Sequence, residues 1–116
     1  MTTDRELIEL AAKAAKIDGR WHDIDDGWFI PGNINNWASL IRWDPLEDDS
    51  QAFKLMVKLR MRVRTTETAA IVDIYGENGW QGEVQVGVMD ADWSEDYYAA
   101  TRRAIVKAAA ELGRLL

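Results

Sequence analysis

Leu7, Leu10, Ala11 and Ala14 recur at helical spacing, widened by Ile8 and Ala15, and predict a helix over residues 4–17. Thr3 and Glu6 have the spacing of a capping box, and Gly19 suits the left-handed residue that ends a helix. Residues 20–24 and 28–30 read as a hairpin around Asp25-Asp26-Gly27, with Gly27 accepting positive φ. Pro31 cannot donate to a ladder and is expected to end the second strand. Residues 31–42 leave two readings open, an ordered loop or a short strand near 38–42. A second helix should begin after Asp48, with Asp48, Asp49 and Ser50 as caps and Ala52, Phe53, Met56, Val57 and Leu59 or Arg60 as its apolar positions.

From residue 60 the period changes to two. Arg60, Arg62 and Arg64 alternate with Met61, Val63 and Thr65, as in a strand with one wet face. Residues 69–75 are apolar on both faces, the pattern of a central strand covered on each side. Gly76-Glu77-Asn78-Gly79 makes a hairpin turn, and residues 80–88 alternate again. A last helix should run from residue 94 or 95 to 115 on a stripe of Tyr98, Thr101, Ile105, Ala108, Ala109, Leu112 and Leu116. The order is α–β–β–α–β–β–β–α. It predicts an α+β fold with three helices against a single antiparallel-rich sheet of four or five strands. Helices on both faces of the central strand would make a three-layer α-β-α sandwich. Leu10, Phe53, Ile71, Ile74, Val84, Val86, Ile105 and Leu112 are the expected core.

A length of 116 residues fits one domain spanning 1–116. The absence of cysteine removes disulfides, thiolate metal sites and cysteine nucleophiles. Residues 1–6 lack the zones of a signal peptide, and no apolar run approaches the roughly 18 residues of a membrane span. A soluble, cytoplasmic protein is expected.

Charge is blocked along the chain. Residues 20–50 hold seven acids and two bases, residues 51–66 five bases and no acid, and residues 67–96 eight acids and no base. The acidic blocks imply a negative surface that repels phosphate backbones and attracts basic protein surfaces. Direct nucleic-acid binding is disfavoured, although Lys54, Lys58, Arg60, Arg62 and Arg64 form a local basic strip.

Triad chemistry would have to run through His22, the lone histidine, and a zinc site needs more nitrogen or sulfur ligands than exist. The carboxylate groups Asp23, Asp25, Asp26 and Asp90, Asp92, Glu95, Asp96 leave a divalent-metal enzyme as an alternative. The second group lacks the glycine and final acid of a calcium loop. The glycines at 76, 79, 82 and 87 are not followed by the Lys-Ser/Thr of a phosphate loop. No catalytic residue, cofactor or metal is expected. Six tryptophans are an unusual load for this length; most are expected in or at the edge of the core, with one or two as interface anchors, since tryptophan is enriched at binding hot spots. Trp37, among asparagines, and Trp93, among acids, are the first candidates for exposure.

Trp43, Pro45, Asp48, Ala52, Lys58 and Leu59, followed by Ala99, Ala100, Arg103, Ala104, Ile105, Ala108 and Ala109, resemble small bacteriophage and prophage proteins of the phage α-β-α sandwich domain group. The chain departs from that pattern where a glycine is expected after the second helix, and residues 31–42 are longer. The resemblance implies an accessory protein of an infected bacterial cytoplasm. With the charge pattern, it leads to an expected non-enzymatic binder of a host protein, an anti-defence inhibitor of the anti-CRISPR kind. The expected surface comprises Asp25, Asp26, Trp28, Asn36 and Trp37, joined by Asp92, Trp93 and Asp96. A nucleic-acid-binding accessory factor using residues 54–64 is the other alternative.

Overall fold

The structure, a computed structural model, describes residues 3–33, 36–76, 79–87 and 97–115; of 31–33, 36–39, 76 and 81 it describes the backbone alone. Elements follow in the order α1 (Asp4–Ala15), β1 (Arg20–His22), β2 (Gly27–Asn33), β3 (Asn36–Arg42), α2 (Asp49–Lys58), β4 (Arg62–Thr65), β5 (Ala69–Gly76), β6 (Gly79–Gly87) and α3 (Tyr97–Arg114). The α+β class is as expected, and the three expected helices are present among the described residues. The strands differ: among the described residues they form two antiparallel sheets, β1-β2-β3 and β4-β5-β6, in place of one. The segment 31–42, open in sequence, supplies the difference, because β3 pairs with β2 and completes a sheet of its own.

α1 starts where Thr3 Oγ1 accepts from the Glu6 N–H at 3.2 Å. It ends at Lys16, not Gly19: Lys16 takes the left-handed conformation at φ 57°, and the Ile17 N–H reaches back to the Ala12 carbonyl at 2.9 Å. Gly19 has another use. A Cβ there would collide with the Trp28 ring nitrogen and the Phe29 carbonyl, so glycine lets β2 lie close. The hairpin turn likewise puts positive φ on Asp26 (47°), leaving Gly27 to pair with His22. Pro31 does not end β2. It pairs opposite Leu40 beside a register shift, and β1 stops pairing at Phe29, so this stretch is an edge where a missing donor is tolerated.

β5 is central to the second sheet. Val63 stands opposite Val72, Val72 opposite Val84, and Ala70 opposite Val86, giving one apolar face. α3 packs on that face, and α1 packs most extensively on α3. α3 is buried nearly all round, through Ala100, Ala104, Ile105, Val106, Ala108, Ala109 and Ala110. Gly113 extends that close approach, since a Cβ there would strike the Leu10 backbone. The other sheet face carries Arg62, Arg64, Ile71, Asp73, Tyr75, Glu83 and Gln85; most are exposed, and among the described residues no helix covers it. The expectation of a strand covered on both faces, and with it the three-layer sandwich, is corrected on this point. Ile71 is half-buried between Arg64 and Gln85, its cross-strand neighbours, and Asp73 is buried beside the Arg64 guanidinium at 3.5 Å.

Ile74, Val86 and Ile105 are buried as expected, while Leu10, Ile71, Val84 and Leu112 are half-buried. Phe53 is 60% exposed, against expectation. The stripe that α2 buries is Ala52 and Leu55, with Met56 and Leu59 partly covered, a set rotated by one position from the predicted one. Tyr98 is exposed too: α3 turns Ala100, Ala104 and Ala108 inward, whose small side chains permit close contact. Leu116 and Val88 lie outside the described residues.

After α2, Arg60 takes the left-handed conformation at φ 54°. A non-glycine residue pays about 1–2 kcal/mol for that conformation. Arg60→Gly is expected to stabilise the protein by up to about 1 kcal/mol, after the added flexibility of the unfolded chain is offset. An unchanged or lowered urea midpoint would show that the strain is absent or compensated.

Candidate binding face

Three segments far apart in sequence meet around one cleft. The first turn of α1 brings Asp4, the β1–β2 turn brings Asp23 and Asp26, and the link from β3 to α2 brings Asp44 and Glu47. They surround a shallow polar cleft of about 310 Å³, with Arg5, Arg42 and Trp21 between them.

The geometry is held by side-chain bonds to main chain. Arg42 donates through its two terminal nitrogens to the carbonyl oxygens of Asp25 (3.2 Å) and Asp26 (2.9 Å), fixing the turn. Gln51 clips the next link: its Oε1 accepts from the Asp44 N–H at 2.6 Å, and its Nε2 donates to the Arg42 carbonyl at 2.9 Å. Asp48 Oδ1 accepts from the Gln51 N–H at 2.9 Å, capping α2. Arg5 joins α1 to the hairpin, lying 2.9 Å from Glu9, 3.5 Å from Asp23 and 4.8 Å over the Trp21 ring. The carboxylates are thus presented on a fixed frame, and Arg5, Arg42 and Arg103, the last 3.1 Å from Asp4, offset only part of their charge.

Asp25 and Asp26 are exposed in the turn, as the sequence led us to expect. Trp28 is not a surface anchor. It packs against the core, and its ring N–H is buried without a hydrogen-bond partner. Register explains this: Trp28 stands opposite Trp21, on the face turned to α1. Asn36 and Trp37 belong to β3 by backbone, with side chains outside the described set, and Asp92, Trp93 and Asp96 lie outside the described residues. Exposed tryptophan instead occurs at Trp80, 59% accessible and opposite Tyr75 on the open face of the second sheet. Strict alternation would set Trp80 in phase with Val84 and Val86 on the covered face; the register shift between Ile74 and Tyr75 turns it outward, and no periodic signal marks that shift.

His22 stacks on Phe29 with centroids 4.8 Å apart and lies 3.9 Å from Asp25. Among the described residues no three His, Asp or Glu side chains converge to hold a metal ion. The basic strip is split by the fold. Lys54 and Lys58 line the exposed side of α2, whereas Arg64 lies on the second sheet between Asp73 and Glu83, at 3.5 and 3.4 Å. Among the described residues no helix is long and apolar enough to cross a membrane. Compared with protein-family models, curated proteins and solved structures, the chain matches none.

Proposed function

We propose that this protein is a non-enzymatic binding module that covers a basic surface of a host protein with its acidic face. The observation that carries the proposal is the convergence of Asp4, Asp23, Asp26, Asp44 and Glu47 from three separate segments. A rigid negative face speeds encounter with a positive one and fixes its register. In the bacterial cytoplasm implied by the phage resemblance, basic surfaces of that kind line the nucleic-acid channels of defence complexes. Occupying one would make the protein an anti-defence inhibitor that competes with nucleic acid.

Affinity capture from a bacterial lysate, with Asp23→Lys/Asp25→Lys as the paired variant, tests the proposal. The wild-type protein is expected to retain a nucleic-acid-binding host protein, displaced by duplex DNA and weakened by salt. The variant should retain about tenfold less, as expected when rim charges are reversed. Capture of virion head or tail proteins alone, or equal capture by the variant, would remove this reading.

A further inference from the structure

Residues 23–26 join β1 to β2 as a bare turn, because the ladder between the two strands stops at the pair of His22 and Gly27. At its tip stands Ile24, 99% exposed. Turn positions favour Gly, Asn, Asp and Ser, each for a local backbone reason that isoleucine does not meet. Nor does this side chain add to the core, where Ile8, Ile74 and Ile105 are buried. Folding gives no account of an isoleucine here.

A single apolar side chain in water is ordinary on a protein surface. Ile24 is set apart by its frame and its neighbours. The Asp26 N–H reaches the Asp23 carbonyl at 3.4 Å across the turn, and Arg42 holds the carbonyls of Asp25 and Asp26. Arg5 lies 3.5 Å from Asp23 on one flank. Isoleucine is β-branched and has few rotamers to lose, so a partner that covers it meets a side chain already in position. Asp23, Asp25 and Asp26 surround it in the turn, and all three are exposed.

We propose that Ile24 anchors the acidic face to its partner, entering a narrow apolar pocket of a host protein whose rim carries lysine or arginine. The inference rests on the acidic-face reading and sharpens it: charge brings the two surfaces together, and one apolar side chain decides which basic surface is held. A side chain seated in a dry pocket and ringed by polar contacts carries much of the energy of an interface. The aspartates select this occupant. A bilayer could take up an isoleucine, but the carboxylates on either side would lose their water as it entered. A second copy meeting this one tip to tip would set the aspartates against their own equivalents. Nucleic acid would bring phosphates against the same three charges.

The test compares wild type, Ile24→Ala, Ile24→Val and Asp23→Lys/Asp25→Lys, first by affinity capture from a bacterial lysate. The protein that wild type retains is then purified and titrated against each variant by calorimetry. The substituted side chains are exposed, so thermal melts should coincide with wild type. Ile24→Ala should weaken binding by about tenfold or more at low and high salt alike, the scale of a lost hot-spot contact. Ile24→Val, which keeps most of the side chain, should lose less. The charge reversal should weaken binding most at low salt. Equal binding by Ile24→Ala beside a weakened charge reversal would overturn the anchor and leave the acidic-face reading in place. Equal binding by the charge reversal, or no protein retained by wild type, would remove both. Ile24-dependent binding to phosphatidylcholine vesicles, or a concentration-dependent dimer abolished by Ile24→Ala, would give the tip another occupant and overturn the proposal.

Discussion

Trp43→Ala is expected to lower stability by about 3–5 kcal/mol, the range for deleting a large buried aromatic side chain. Domains of this size hold only about 5–15 kcal/mol in total, so the variant should lose a large share of that margin. Trp43 is 4% exposed and sits where β3 hands the chain to α2. Its N–H donates to the Trp28 carbonyl at 2.8 Å, and the Gln51 clip closes around it on both sides. The side chain therefore fills core volume while the backbone ties the first sheet to the helical layer. Thermal melts followed by circular dichroism should drop by more than about 10 °C. A melt within 2–3 °C of wild type would mean that the residue is not a core member. Trp80→Ala, on the open sheet face, is the contrasting control and should leave the melt close to wild type.

Ile105→Ala should cost about 2–5 kcal/mol through lost burial and the cavity left behind. Ile105 is 4% exposed, sits beside Ala104 and Val106 at the buried centre of α3, and also floors the groove beside Phe53. Because a groove wall can relax into open space more readily than a sealed core can, the lower half of that range is expected. Urea denaturation should show a reduced midpoint at an unchanged slope. An unchanged midpoint would mean that the buried side of α3 has been assigned incorrectly.

These two residues also show how far the sequence reaches. Periodicity identified α1, α2 and α3 and the strands β4, β5 and β6, because a single buried stripe or a strict alternation leaves little freedom. It placed the phase of α2 wrongly because Ala52, Phe53, Leu55, Met56, Val57 and Leu59 satisfy two stripes at once, and only the tertiary partner decides between them. Division into two sheets was not legible: strand pairing is a long-range choice, and Pro31 pointed to an end where the fold uses an unpaired edge instead. In the candidate face, the turn acids Asp25 and Asp26 were visible from composition. Their meeting with Asp4, Asp44 and Glu47 depends on Arg42 and Gln51 bonding to distant main chain, and such bonds leave no periodic trace.

The way Arg42 grips the β1–β2 turn bears on how this protein could diversify. Its two hydrogen bonds end on the carbonyl oxygens of Asp25 and Asp26, groups that every amino acid supplies. The shape of the turn is thereby decoupled from the side chains it displays, apart from position 26, where a φ of 47° favours Asp, Asn or Gly. Mutation can rewrite charge at positions 23 to 25 while the scaffold stays in place. A lineage under pressure from a changing partner would have there a small surface free to drift in recognition and constrained in form.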